Sequence, residues 1–156
     1  MSLIERITKS GDARAWYGDM PIESRYTAGI AGERFLRALK EGEIMGVKCP
    51  ECEFIYLPPR IFCPHCFSHL QEWVEVGNQG AVETYTILNV DLDGNPLQEP
   101  KIVALVNVDG TYGGLLHFLG EVELDELYIG LPVEAVFKPK NEREGSILDI
   151  KYFRPL

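Results

Sequence analysis

No stretch of the chain approaches the roughly 20 consecutive apolar residues that a membrane-spanning helix needs. The opening Met-Ser-Leu-Ile-Glu-Arg lacks the basic-then-apolar layout of a secretory signal. Internal repeats and low-complexity runs are missing too, which argues against solenoid architectures. Histidine is scarce: His65, His69 and His117 are the only three, and they assemble no recognisable catalytic triad. Basic residues thin out along the chain. Residues 1–73 hold ten acids and nine bases, while residues 74–156 hold 14 acids and six bases, so −8 of the net −9 lies in the second half. Nucleic-acid affinity rests largely on neutralising phosphates, and so acidic a half repels them.

Cysteine is also sparse, and its distribution is what organises the chain. All four lie in Cys49-Pro50-Glu51-Cys52 and Cys63-Pro64-His65-Cys66, two C-x2-C pairs ten residues apart. Two intervening residues let both sulfurs of a pair turn toward one point, and two such pairs complete a tetrahedron of soft ligands. Four thiolates with no open position describe a closed, structural Zn2+ site on Cys49, Cys52, Cys63 and Cys66. Iron is the competitor, because a four-sulfur site also suits a rubredoxin-type centre. The short loop between the pairs favours zinc. So does the lack of glycine after each second cysteine, where Glu53 and Phe67 stand and the backbone wants positive φ. With four sulfurs available, neither His65 nor His69 is needed as a ligand. Reduced, metal-ready cysteines fit a cytoplasmic protein.

The apolar content of 46% is that of a globular protein, and 156 residues suffice for one ordinary domain or two small ones. Leu3, Ile4 and Ile7 suggest a short helical face within an extended arm. A better helix spans 27–40, with Thr27 as N-cap, Lys40 in the last turn and Gly42 just past the end. Its apolar stripe of Phe35, Leu36 and Leu39 has two destinations open to it: the rest of this chain, or a partner protein. Short strands at 44–48 and 54–57 flank the first cysteine pair, and Pro58-Pro59-Arg60 blocks further pairing. Strands follow at 71–76, 81–90, 102–108, 114–119, 132–138 and 147–153, with at most a helical turn over 121–127. The last five form a small Greek-key barrel of the OB type, with Gly113, Gly114, Gly120 and Gly130 at its corners. The chain therefore reads as mainly β, in two small domains: a helical arm at 1–43, a zinc ribbon at 44–73 and a five-stranded barrel at 74–156.

The cysteine pairs, the Leu57-Pro58-Pro59-Arg60 run between them, Gly80, Tyr85-Thr86, Pro100, Ile129-Gly130-Leu131-Pro132-Val133 and the closing Tyr152-Phe153-Arg154-Pro155 together carry a resemblance. Over roughly residues 20–156 the chain resembles the zinc-ribbon/OB-fold acyl-CoA-associated proteins, long catalogued as a domain of unknown function. The resemblance implies a rubredoxin-like zinc ribbon followed by an OB barrel. It also implies a non-catalytic scaffold that binds acyl-CoA and partners thiolase-like or hydroxymethylglutaryl-CoA synthase-like condensing enzymes, in lipid or isoprenoid metabolism. No acyl-CoA-contacting positions transfer residue by residue.

A different class of function remains open on the residues alone. Ribbons and OB barrels often bind single-stranded nucleic acid, and Tyr85, Tyr112 and Phe118 are the candidate stacking platforms. Salt-sensitive oligonucleotide binding separates that reading from the scaffold one. A third reading, an iron electron carrier, is separated by colour.

Overall fold

The computed structural model describes residues 27–91 and 93–156. The helical turns expected near Leu3 to Ile7 lie outside them. Helix α1 runs from Gly29 to Glu41. It stops where Gly42 turns left-handed (φ 93°) and donates its N–H to the carbonyls of Ala38 and Leu39, both at 3.0 Å. Its start differs from expectation. The cap position falls on Ala28, which offers no side-chain acceptor, so Thr27 does not cap.

Three strands form the ribbon sheet: β1 (Ile44–Lys48), β2 (Ile55–Tyr56) and β3 (Glu72–Val76), in the order β2-β1-β3. Five more close a barrel: β4 (Gln79–Val90), β5 (Pro96–Val108), β6 (Leu115–Leu119), β7 (Pro132–Phe137) and β8 (Ile150–Pro155). Their order is β4-β5-β6-β8-β7, and β7 returns to β4 through Pro132–Glu134 against Gln79–Ala81. The exchange of the last two strands, with a parallel contact at Leu119–Phe153, is the Greek-key order of an OB barrel. Gly80 stands at the crossing where β4 meets both β5 and β7. A Cβ there would collide with the Asn107 carbonyl, so only glycine lets the strands approach.

The two largest shifts in where a strand begins have identifiable reasons. β5 begins at Pro96 rather than 102, because the β4–β5 hairpin runs on as a two-stranded arm. Asp91 closes its turn by accepting from the N–H groups of Asp93 and Asn95. β8 begins at Ile150 rather than 147, because Ile147–Asp149 form a single 3-10 turn capped by Ser146. The buried Asp149 carboxylate accepts from the N–H groups of Glu144, Gly145 and Ser146 and holds that loop. Between Glu121 and Leu127 the chain makes turns rather than a helix.

The apolar stripe of α1 finds its partner inside the chain. Phe35 and Leu39 are buried in one cluster with Ile44 and Leu57 of the ribbon and with Val82, Val106, Val133, Ile150 and Phe153 of the barrel. A second, smaller cluster of Val47, Tyr56, Leu70, Cys49 and Cys63 surrounds the cysteines. The helix and the root of the ribbon thus complete the barrel core.

Leu39 has no exposed surface, so Leu39→Ala is expected to cost about 2–5 kcal/mol in a urea melt. An unchanged midpoint would mean that the helix does not pack here. Burial alone would raise the Asp149 carboxyl, but the three N–H groups aimed at it bring it below the ordinary carboxylate range. A depressed folded value means stability that is complete above about pH 4 and lost as pH falls through the folded value. Asp149→Asn should therefore cost about 1–3 kcal/mol at pH 7. The gap from wild type should close as the melt is repeated in acid.

Candidate metal centre

Each cysteine pair sits on a backbone knuckle, and the two knuckles repeat one hydrogen-bond pattern. In the first, Cys49 N–H donates to Phe54 O (2.9 Å) and Glu53 N–H to Cys49 O (3.0 Å). In the second, Cys63 N–H donates to Ser68 O (2.9 Å) and Phe67 N–H to Cys63 O (3.0 Å). Glu53 and Phe67 adopt φ of 59° and 60°. The left-handed turn that glycine usually supplies is therefore present with non-glycine residues, each at a cost of about 1–2 kcal/mol. The lack of glycine thus says nothing about which metal the knuckles hold, and that part of the case against iron falls away.

The knuckles bring the four sulfurs together, all within 4.8 Å of one another. Cys49 and Cys66 Sγ are 3.5 Å apart and Cys52 and Cys63 Sγ 3.9 Å apart. Ligands about 2.3 Å from a tetrahedral zinc stand about 3.8 Å from each other, so the donor set fits. It does not fit disulfides, whose sulfurs lie about 2.05 Å apart.

The sulfurs sit in unequal surroundings. Burial would raise the Cys63 thiol, but the buried Tyr56 hydroxyl 3.2 Å away and nearby backbone N–H groups bring it down to about 6. Ser68 Oγ, 3.2 Å from Cys66 Sγ, holds that thiol below its ordinary value. Burial raises Cys49. Cys52 is pushed up to about 12 by the neighbouring Cys66 sulfur and by burial. Tyr56 and Ser68 were not visible as site residues in the sequence, since a tyrosine on a two-residue strand carries no motif.

Each histidine ring has partners other than the sulfurs. His65 packs on Phe54 (ring centroids 5.5 Å), and His69 Nδ1 lies 2.8 Å from Gln71 Nε2. His117 is buried in the barrel with both ring nitrogens engaged: Nε2–H donates to Ile147 O (3.1 Å) and Nδ1 accepts from Phe118 N–H (2.9 Å). Burial lowers its pKa. Arg60 lies over the Tyr56 ring at 5.2 Å.

The ribbon is tied to the barrel beside the metal site. Tyr112, beyond β5, donates its N–H to Ile55 O (2.6 Å) and accepts from Leu57 N–H (3.2 Å). Its ring stacks on Phe54 at 5.2 Å and meets Tyr56 edge-on at 5.6 Å. The three aromatics expected as stacking platforms are not brought together. Tyr112 is spent at this seam, while Tyr85 shares a register row with buried Ala104 and Phe118 belongs to the opposite face of the sheet. On the other side of the ribbon, Arg34 lies 4.9 Å above Trp73. Two clefts of about 350 and 320 Å³ share that pair as a common wall.

Compared with known proteins, residues 37–71 match the family model described as ChsH2, rubredoxin-like zinc ribbon domain. Residues 73–138 match that of the ChsH2, C-terminal OB-fold domain. The DUF35 domain-containing scaffold protein of Methanocaldococcus jannaschii is 27% identical over 116 residues, covering 72% of this chain and 82% of that protein. The protein of the same description from Methanothermobacter thermautotrophicus is 28% identical, covering 72% and 86%. Among solved structures, a DUF35-family protein of unknown function from Sulfolobus solfataricus matches with a TM-score of 0.59 and 35% identity, over 69% of this chain and 78% of that one. A chain of the Ltp2-ChsH2(DUF35) aldolase matches with a TM-score of 0.61 over 84% and 98%. At 24% identity, that likeness bears on the fold alone.

Four thiols must lose protons to take up one ion, so metal loading should strengthen from pH 6 to pH 8 in a chelator competition. Stripping the metal should collapse the amide shifts of Lys48 to Leu70 while those of Ile102 to Val106 persist. Native ribbon shifts in fully demetallated protein would remove the site.

Proposed function

Because the chain belongs to the DUF35 family, with its ChsH2-type ribbon and OB barrel, we propose that it is a non-catalytic accessory protein. In this reading it scaffolds a thiolase-like or hydroxymethylglutaryl-CoA synthase-like condensing enzyme and binds the acyl-CoA that such enzymes handle. Its place is the cytoplasm, in lipid or isoprenoid metabolism. The observation that carries the reading is the match of ribbon and barrel together, over 72% of the chain, to proteins described as scaffolds. The Ltp2-ChsH2(DUF35) aldolase adds a precedent in which a DUF35 chain is named jointly with a second component.

Chemistry supports the same direction. We assign Cys49, Cys52, Cys63 and Cys66 as ligands of one structural Zn2+. Four sulfur ligands leave no coordination position for substrate, so the ion serves as a mount. His117, the one buried imidazole among the described residues, has both nitrogens occupied. Phe35 and Leu39 are committed to the core, so docking through α1 is left to its exposed flank at Ile30 and to the segment before it. The clefts beside Arg34 and Trp73 offer a concave, partly apolar wall with a cation for an acyl-CoA to meet.

The test is purification of the tagged, metal-loaded full chain from its native host, followed by mass spectrometry and acyl-CoA titration. The expected result is a condensing enzyme in fixed proportion and saturable acyl-CoA binding. A folded, metal-loaded protein that shows neither would contradict the proposal. Salt-sensitive oligonucleotide binding at physiological ionic strength would replace it with the nucleic-acid reading.

A further inference from the structure

The long β4–β5 hairpin leaves the barrel with two edges that are treated differently. β6 pairs with β5 only from Ile102 to Val106, and β7 with β4 only from Gln79 to Ala81. The Val82 backbone is taken up by Gly130 and Leu131. Beyond that point, among the described residues, no strand pairs with the outer edge of β4 or with the outer edge of β5 before Ile102.

A free strand edge invites pairing with another chain, and proteins usually blunt it with proline or charge. The β5 edge is blunted: Pro96, Glu99, Pro100 and Lys101 crowd six residues. The β4 edge is not. Thr84-Tyr85-Thr86-Ile87-Leu88-Asn89-Val90 contains no charge, no proline and no glycine, and is rich in β-branched and aromatic residues. Tyr85, Leu88 and Val90 are 36, 37 and 51% exposed. An acid closes each end of the run, Glu83 and Asp91.

Those flanking acids choose between occupants. A second copy, paired antiparallel about Ile87, would set Glu83 against Asp91 at both ends and bring together two chains of net charge −9. A strand with basic flanks would meet acid at both ends instead. We propose that the outer edge of β4 from Thr84 to Val90 is a docking edge for an extended, β-branched segment of a partner protein whose two flanks carry Lys or Arg. Main-chain hydrogen bonds hold the segment, and the acids set its position. Calling the partner an assembly component rests on the accessory-protein reading; the edge itself rests on the strand.

The probe is a synthetic peptide, Lys-Val-Thr-Val-Thr-Val-Thr-Val-Lys, titrated at low salt into the 15N-labelled full chain beside an analogue with glutamate at both ends. Shifts and slowed amide exchange are expected at Thr84 to Val90, with the lysine peptide about tenfold tighter than the glutamate one. Glu83→Lys should narrow that preference. Thr86→Lys should abolish binding while Val103 to Val106 keep their exchange protection. Absence of binding, shifts elsewhere or no charge preference would overturn the proposal. So would β4-edge amides already protected in the free chain, from residues 1–26 if the protein is monomeric and from a second copy if its mass doubles. The two readings fail separately. A condensing enzyme retained equally by wild type and Thr86→Lys sinks the edge and leaves the accessory role. Peptide binding without any such enzyme does the reverse.

Discussion

Four sulfurs within 4.8 Å of one another govern everything between Ile44 and Val76. The ribbon's own buried apolar residues are few: Val47, Tyr56 and Leu70, with Trp73 half-buried beside them. So small a core does not hold two hairpins in place without a further tie, and small domains routinely use a metal for that purpose. The knuckle backbones show how far the chain is adapted to it, since Glu53 and Phe67 both accept a left-handed conformation that closes the loops on the sulfurs. A binding energy of about 10–16 kcal/mol, as in zinc-finger peptides, is ample to offset that strain.

The ribbon in turn fixes what lies on either side of it. Ile44 and Leu57 leave the ribbon for the barrel core, where Phe35 and Leu39 of the helix join them. The Tyr112 backbone adds hydrogen bonds to Ile55 and Leu57 from the barrel side. Helix, ribbon root and barrel therefore share one apolar interior, while the sulfurs sit in a second, smaller one.

Much of this was legible in the residues, and the reasons are physical. Paired cysteines at fixed spacing have few other uses, so the convergence of Cys49, Cys52, Cys63 and Cys66 could be read from their spacing. Short runs rich in β-branched residues, such as Ile102 to Val108, revealed strands because such side chains fit a pleated, half-buried surface. What stayed hidden depended on contacts distant in sequence. The stripe of α1 looked the same whether it met this barrel or another protein. The turn at Ile147–Asp149 hinges on a buried carboxylate meeting three N–H groups, which an apolar pattern does not register. Tyr56 became a site residue only once folding placed its hydroxyl on Cys63. The unpaired outer edge of β4 required knowing which strands stop short of it.

The ribbon's architecture stands on the identity and geometry of one ion. X-ray absorption at the metal edge of protein purified without added metal, with elemental analysis, measures both at once. One zinc per chain with four sulfur neighbours at about 2.3 Å is the expected result. Absence of metal, nitrogen or oxygen in the inner shell, or sulfur–sulfur bonds in place of metal–sulfur ones would contradict it.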